Sequence, residues 1–188
     1  MTCRPHRDHP FFAVLSDTHG SVGAWTKARP LWSGAEAILH CGDVLYHGPR
    51  NPLPSAHDPA SLASLLLQES LPLFLVRGNC DADVDALVLQ RPLCSRVAFW
   101  WRGRTVLAAH GEDFTTFREE ALRMGAHLAL SGHTHVASLV REGSTWFLNP
   151  GSLSLPKGKD PESFALISEA GMEIRTLDGE ILSQGGWD

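Results

Sequence analysis

The sequence lacks the long apolar segments that membrane proteins and secreted precursors carry. No run of about eighteen apolar residues occurs, so a transmembrane helix is not expected. Residues 1–10 include Arg4, Arg7 and Asp8, where a signal peptide would need an apolar stretch. We therefore expect a cytoplasmic protein without a membrane partner.

Cysteines and basic residues are also few. The four cysteines lie at positions 3, 41, 80 and 94, and no two of them have the two-residue separation of a zinc knuckle or a redox motif. A disulfide framework is therefore not expected. Lys and Arg number 16 against 21 Asp and Glu, and the formal net charge of -5 argues against a stable nucleic-acid partner.

The length leaves room for one globular unit. With 188 residues, 43% of them hydrophobic, the chain can bury a sizeable core but has little sequence left for a second one. We predict a single domain over residues 1–188, with disordered tails at residues 1–10 and at residues 184–188, where two glycines occur.

Apolar runs alternate with helical segments in the first half of the chain. Strands are predicted at Phe11–Leu15 and at residues 37–40 and 73–76, and helices at residues 25–32 and 60–69. Each apolar run leads to a glycine next to a side chain that can bind a metal ion. The strand, helix, strand order predicts an α/β sheet.

The second half is rich in strands. A hairpin is predicted from Val97–Trp101 and residues 105–109, followed by a helix over residues 116–124. Further strands are predicted at Leu128–Leu130, residues 137–141, residues 145–148, Ser163–Ser168 and residues 171–177. Trp100 and Trp101 must face opposite sides of their strand, so one ring is predicted in the core and the other on the surface.

Polar residues that can bind metal ions follow five of these strands. They occur as Asp-x-His, Gly-Asp, Gly-Asn, His-Gly and Gly-His-x-His, and strand ends in α/β sheets gather along one edge. One such residue alone would more often be a hydrogen-bonded loop residue, but seven together predict a site. The seven are Asp17, His19, Asp43, Asn79, His110, His133 and His135.

The residue types and their spacing indicate a centre with two cations. Two residues apart on an extended loop, Asp17 and His19 would point to the same side, and so would His133 and His135. The carboxylate of Asp43 can bridge two ions at about the 3.5–4 Å separation that serves in-line displacement at phosphorus. Carboxylate, amide and imidazole ligands suit Mn²⁺, Fe or Zn²⁺.

The same blocks resemble the calcineurin-like metallophosphoesterase superfamily and occur in its order. The stretches at residues 42–51 and 149–152 are similar to one branch of it, the small bacterial and archaeal phosphodiesterases. The similarity runs from about residue 11 to residue 177. It implies a four-layer αββα sandwich, in which two mixed sheets are flanked by helices.

The resemblance also implies how the site is used. Asp17, His19 and His135 would hold one ion, Asn79, His110 and His133 the other, and Asp43 both. A hydroxide that bridges the ions would attack a small phosphodiester in line. Asp43, Asn79, Cys80 and His110 would be the catalytic residues. Mn²⁺ would be the preferred ion, with Zn²⁺, Fe or Ni²⁺ as alternatives. The protein would form a homodimer or a homotetramer.

The residues around these ligands leave several alternatives open. Many superfamily members have histidine where this chain has Cys80, so the thiol either faces the leaving group or only fills space. Glu112 either orients His110 or is a solvated carboxylate. Arg77 either binds phosphate or pairs with Asp81. His47 and Arg50 follow the bridging aspartate, and substrate contact is predicted for both.

Three other functions share the motifs. A phosphomonoesterase would use the same ligands, although it would need an additional cationic or acid group beyond those at the metals. A non-catalytic scaffold module has the same fold but a degraded metal site, whereas the ligand set here is complete. A DNA-repair nuclease would need a basic surface that the acidic chain does not indicate.

Overall fold

A computed structural model describes residues 11–188, and the predicted tail at residues 1–10 lies outside them. The strands are β1 Phe11–Leu15, β2 Ile38–His40, β3 Leu73–Leu75, β4 Val97–Trp101, β5 Arg104–Ala108, β6 Leu128–Leu130, β7 Ala137–Glu142, β8 Thr145–Pro150, β9 Ser163–Ser168, β10 Gly171–Thr176 and β11 Ile181–Gly185. The α-helices are α1 Val22–Ala28, α2 Pro59–Leu67, α3 Asp83–Leu89 and α4 Phe114–Met124.

The strands form two mixed sheets. The first has the order β11-β10-β9-β1-β2-β3, in which β1, β2 and β3 are parallel. The second has the order β4-β5-β6-β8-β7, in which β5, β6 and β8 are parallel. The carboxyl ends of the parallel strands in each sheet therefore lie along one edge, where the predicted ligands follow them.

Apolar residues on both faces of the sheets build three cores. Between the sheets, Phe12 and Val14 of β1 share a buried cluster with Val106 and Leu130 of the second sheet. The opposite face of the first sheet packs on α1 and α2, and the opposite face of the second sheet packs on α4. The predicted four-layer αββα sandwich is confirmed.

The predicted helix over residues 25–32 is two elements in the structure. α1 begins after Ser21, whose hydroxyl accepts from the amide of Ala24, and it ends at Ala28. A 3₁₀ helix, Arg29–Trp32, continues the chain. Pro30 has no amide hydrogen to donate within an α-helix, so the regular hydrogen bonding stops before it.

Two elements were not predicted, and one of them corrects the predicted C-terminal tail. α3 and β11 had no counterpart in the sequence analysis. Gln184 and Gly185 lie in β11, which pairs with β10, and Nε1 of Trp187 donates to the carbonyl oxygen of Ser168 at 2.8 Å. These contacts hold the end of the described chain against the first sheet.

The two adjacent tryptophans face opposite sides of β4, as predicted. Trp100 is 68% exposed, whereas Trp101 packs against the core between the sheets and meets Phe12 edge to face. Within residues 11–188, no helix is both long enough and apolar enough to cross a membrane.

Candidate metal centre

The predicted ligands lie on sharply turned backbone at the strand ends. Five of the seven have positive φ angles, namely Asp17 (55°), His19 (47°), Asp43 (59°), His133 (67°) and His135 (60°). The assumption of extended loops was therefore wrong, because left-handed residues turn the chain and aim the side chains individually. Such conformations are costly for residues with a Cβ and are concentrated at functional sites.

The first group of side chains surrounds Oδ1 of Asp17. This oxygen lies 3.2 Å from Nε2 of His135 and 3.6 Å from Nε2 of His19, and the two imidazole nitrogens are 3.2 Å apart. All three side chains are buried. Asp17 and His19 thus share one small volume with His135, which lies 116 positions after His19 in the sequence.

The second group surrounds Oδ1 of Asn79. It lies 3.1 Å from Nε2 of His110 and 2.8 Å from Nδ1 of His133, and these two nitrogens are 3.3 Å apart. Oδ2 of Asp43 lies between the groups, 3.4 Å from Nε2 of His110 and 3.8 Å from Nε2 of His19. The structure therefore brings all seven predicted ligands together.

Hydrogen bonds to backbone carbonyls orient three of the imidazoles. Nδ1 of His19 donates to Tyr46 at 2.8 Å, Nδ1 of His110 to Cys41 at 2.8 Å, and Nδ1 of His135 to Leu155 at 2.6 Å. In a neutral ring this leaves Nε2 with a lone pair that points into the centre.

These lone pairs fit a divalent cation better than they fit one another. Nε2 of His19 faces Nε2 of His135, and the buried Oδ1 of Asp17 lies near both nitrogens without a well-oriented hydrogen bond. Ligand atoms about 2.1 Å from an ion are about 3.0–3.4 Å apart in tetrahedral or octahedral geometry. Most of the separations found here lie in or near that range.

The charges of the centre also favour a cation. Burial disfavours the Asp17 carboxylate, but its contacts with His135 and His19 outweigh this and hold its pKa well below the usual range. Burial likewise disfavours the His110 imidazolium, but Asp43 and Asp17 outweigh it and raise the pKa of His110 to about 9. Without a metal ion, the centre would therefore take up protons in its place.

Asp81 holds the backbone around the bridging carboxylate, a role that sequence reasoning missed. Its carboxylate accepts from the amides of Asp43, Val44 and Gly78, each at 2.8 Å. The predicted pairing of Arg77 with Asp81 was wrong, because Arg77 binds Asp83 instead at 2.8 Å, on the exposed surface. No sequence pattern marks a carboxylate that binds amides about 37 residues away.

His40 connects two of the ligand loops. Its Nε2 contacts the hydroxyl of Thr18, and its Nδ1 accepts from the amide of Gly42 at 3.1 Å. Complete burial lowers its pKa to about 4, so the ring is neutral. His40 was predicted only as the last residue of a strand over residues 37–40, and the structure adds these two contacts.

The Asn-Pro-Gly-Ser stretch, which begins with the last two residues of β8, holds two other loops in place. Nδ2 of Asn149 donates to the carbonyl of Gly132 at 2.7 Å and to the hydroxyl of Thr134 at 3.0 Å. The hydroxyl of Ser152 donates to the carbonyl of Asp17 at 2.8 Å. The block that resembled small phosphodiesterases thus fixes the segments that carry four of the ligands.

Cys80 has a contact that neither of its predicted roles included. Nδ2 of Asn79 donates to its sulfur at 3.3 Å, which turns Oδ1 of Asn79 toward the imidazoles. Burial and the carboxylate of Asp43 raise the pKa of the thiol to about 12, so it is neutral in the metal-free protein. Cys80 also lines the cavity above the centre. Glu112 is exposed and has no hydrogen bond to His110.

Only one of the three predicted substrate-binding residues lines that cavity. Arg50 does so, together with Lys157, which the sequence analysis did not mention. The ring of His47 lies against Tyr46 and His57 instead. Arg77 is absent from the cavity wall because its side chain reaches Asp83.

The chain is similar in sequence to known phosphoesterases. The sequence profile of the calcineurin-like phosphoesterase superfamily domain matches residues 11–171. Phosphodiesterase YfcE of Escherichia coli K12 is 35% identical over 176 residues, which cover 90% of this chain and 94% of that protein. The probable metallophosphoesterase YsnB of Bacillus subtilis is 24% identical over 187 residues, with 89% and 96% covered.

Solved structures show the same architecture. YfcE from E. coli, described as a phosphoesterase, superposes with a TM-score of 0.86 at 32% identity and covers 95% of this chain and 100% of that one. Vacuolar protein sorting 29 of Cryptosporidium parvum shares the fold with a TM-score of 0.67 at 17% identity, with 95% and 98% covered. From the domain match and the identity with YfcE, we conclude that this chain belongs to the calcineurin-like phosphoesterase superfamily.

Proposed function

We propose that the protein is a phosphodiesterase that uses two divalent cations. The observation that carries this proposal is the position of Asp43, whose Oδ2 lies within 4 Å of a donor nitrogen in each of the two ligand groups. A carboxylate shared in this way is the arrangement that two-metal hydrolases use. Membership of the superfamily supports the enzyme class, a metal-dependent phosphoesterase.

Each group of side chains would hold one cation. Asp17, His19 and His135 would bind the first, Asn79, His110 and His133 the second, and Asp43 both. When bound, the cations would supply a bridging hydroxide for in-line attack at phosphorus and positive charge for the phosphoryl oxygens. We propose Mn²⁺ as the native ion, with Zn²⁺, Fe or Ni²⁺ as alternatives.

The protein's own residues prepare the site for this reaction. Asn79 and His133 are less buried than the other ligands and face the cavity, so substrate would approach from their side. Carbonyl contacts at Nδ1 fix the rings of His19, His110 and His135, so that Nε2 of each ring points into the centre. Cys80 orients Asn79 and places a neutral thiol, rather than an imidazolium, at the cavity wall.

A diester is favoured over a monoester as substrate. No histidine stands at position 80 to protonate a poor leaving group, and the relative YfcE is named a phosphodiesterase. The complete ligand set argues against a scaffold without activity. A homodimer or homotetramer in the cytoplasm remains a prediction from the sequence.

A metal add-back assay tests the proposal. Metal-stripped protein is assayed with bis(4-nitrophenyl) phosphate and 4-nitrophenyl phosphate after separate addition of Mn²⁺, Zn²⁺, Mg²⁺, Ni²⁺ or Co²⁺. We expect no turnover without metal, the highest turnover with Mn²⁺, and faster cleavage of the diester. Faster cleavage of the monoester would support a phosphomonoesterase, and inactivity with every metal would support a scaffold.

A further inference from the structure

The cavity above the metal centre has a volume of about 740 Å³ and is larger than a phosphodiester group alone requires. Its floor includes Asp43, Asn79, His133 and His135, and two side chains with positive charge stand in its wall. Arg50 comes from the loop after β2, and Lys157 from the segment after β8. Two different loops therefore bring one cation each to the same space.

Neither cation has a carboxylate partner within residues 11–188. Seven of the twelve other Lys and Arg side chains in residues 11–188 are in ion pairs, such as Arg29 with Glu69 at 2.5 Å and Arg96 with Glu120 at 2.9 Å, and none of the unpaired five lines this cavity. In a protein with a formal net charge of -5, acidic partners are plentiful. Two unpaired cations in the wall of the reaction cavity therefore indicate an anionic partner that comes from outside the chain.

Both cations stand on backbone that is tied to the site. The amide of Lys157 donates to the carbonyl of His135 at 3.0 Å. Next to Arg50, Nδ2 of Asn51 donates to the carbonyl of His47 at 2.8 Å. The two charges are thus carried on anchored segments, although their side chains are exposed.

We propose that the substrate carries a terminal phosphomonoester group in addition to the phosphodiester that is cleaved, and that Arg50 and Lys157 bind this second phosphate. This inference rests on the proposed function. A terminal phosphate has a charge of about -1.5 to -2 at neutral pH, which two cations balance. The single charge of a diester would already face the metal centre. The guanidinium of Arg50 can also bind two phosphate oxygens at once.

The exposed ring of Tyr46 makes a nucleoside ester a suitable probe. Tyr46 lines the cavity and is 46% exposed, so it offers an aromatic face to a planar group of the substrate. The two probes are thymidine 5′-(4-nitrophenyl phosphate) and the same ester with a phosphate on its 3′ oxygen. Both release nitrophenolate from the same diester and differ only in the terminal phosphate.

The test compares kcat/KM for the two esters with manganese-loaded protein. We expect the 3′-phosphorylated ester to be preferred by about fivefold, the upper end of the effect of one exposed ion pair. Lys157→Gln and Arg50→Gln should each lower this ratio, and Lys157→Glu should lower it further. Lys159→Gln is the matched control, because Lys159 is exposed on the same segment but does not line the cavity, and its ratio should equal that of the wild type.

Three results would overturn the inference: equal kcat/KM for both esters in the wild type, an unchanged ratio in both Gln variants, or an equal loss in Lys159→Gln. A 3′-hemisuccinate ester, with one negative charge, should show a smaller preference. A preference as large as that of the phosphate would overturn the choice of phosphate.

Failure of the inference can be distinguished from failure of the proposed function. Cleavage of both esters at equal rates contradicts only the inference. If neither these esters nor bis(4-nitrophenyl) phosphate is cleaved, the proposed function fails, and calorimetry still decides the inference. We expect the wild type to bind thymidine 3′,5′-bisphosphate more tightly than thymidine 5′-phosphate. The difference in affinity between these two ligands should be smaller for Lys157→Gln. Equal affinities in the wild type would overturn it.

Discussion

At the scale of a single residue, Cys80 both contacts a predicted metal ligand and lines the reaction cavity. Its sulfur accepts from the amide of Asn79, and it lines the wall of the reaction cavity. A thiol with a pKa raised to about 12 cannot protonate a departing alkoxide efficiently. An imidazole, which titrates near pH 6.5, could do so.

Replacement of this thiol by histidine should therefore help the poorest leaving groups most. We expect Cys80→His to raise kcat/KM for alkyl diesters by about 100-fold or less, the lower end of general acid catalysis, and to change nitrophenyl esters little. The measurement is kcat/KM across diesters of rising leaving-group pKa for wild type, Cys80→His and Cys80→Ala at equal metal content. If kcat/KM depends on leaving-group pKa in the same way in all three proteins, position 80 does not face the leaving oxygen.

The two histidines of the Gly-His-x-His loop should bind different ions. His133 faces Asn79 and His110, whereas His135 faces Asp17 and His19. Each change to alanine should therefore lower the content of one ion more than the other, as measured by elemental analysis after dialysis. His127→Ala is the control, because that exposed ring lies outside the centre. Full retention of both ions in either variant would contradict the assignment.

Metal binding should weaken as the pH falls. Burial disfavours the His110 imidazolium, but Asp43 and Asp17 outweigh it and raise the pKa of His110 to about 9, so this ring carries a second proton at neutral pH in the metal-free protein. Asp17 also raises the pKa of His19 against the effect of burial. A cation binds to His110 only after its second proton leaves, which costs about tenfold in affinity for each pH unit below the pKa. Calorimetric titration with Mn²⁺ in two buffers of different ionisation enthalpy should reveal proton release. Affinity independent of pH would exclude His110 as a ligand.

At the scale of elements, glycines allow the strand-end loops to approach one another. A Cβ on Gly78 would overlap the amide nitrogen and Oδ1 of Asp43 and lie 2.9 Å from its Cγ. Gly78 does not have a positive φ, so this crowding, and not backbone strain, explains the glycine. The Gly-Asp and Gly-Asn blocks are thus one packed unit.

Gly78→Ala should disturb that unit. Overpacking costs about 1–3 kcal/mol, and we expect a loss of this size in the free energy of unfolding, together with reduced metal content. Gly186→Ala is the control, because a Cβ there meets nothing within 4 Å. Denaturant unfolding and metal analysis check both variants. Wild-type stability and metal content in Gly78→Ala would show that the two loops are not packed as described.

The limits of an element can be predicted from the sequence where a continuous apolar run is bounded by turn residues. β1, β6 and β9 have the predicted limits, because each is a continuous run of buried residues. α3 could not be predicted in this way, since Leu87 is 77% exposed and Val84 57% exposed, and no apolar stripe results. β11 is an edge strand with exposed Ile181 and Leu182, and therefore lacks the alternation of a half-buried strand.

Prediction of the candidate site from the sequence has a similar physical limit. The seven ligands could be predicted because strand ends and residue types coincide at them. Asp81, His40 and Lys157 could not, since their roles come from contacts with distant loops or from a shared cavity. The left-handed turns were also missed, because the residues that adopt them are not glycines.

At the scale of the whole molecule, the candidate centre depends on how the two sheets pack. Ligands that follow β1, β2 and β3 come from the first sheet, and those that follow β5 and β6 come from the second. Oδ1 of Asp17 and Nε2 of His135 are 3.2 Å apart, although the two residues belong to loops of different sheets. The buried core between the sheets therefore positions the two halves of the centre relative to each other.

The metal content and turnover of Asp43→Asn test the central claim most directly. Asparagine keeps the size of the side chain but loses the charge and one ligand oxygen of the shared carboxylate. We predict two bound cations per wild-type chain, fewer than two in Asp43→Asn, an intact fold by circular dichroism, and a loss of diester hydrolysis of at least about 100-fold. Wild-type turnover in Asp43→Asn with unchanged metal content would contradict the proposed two-cation centre.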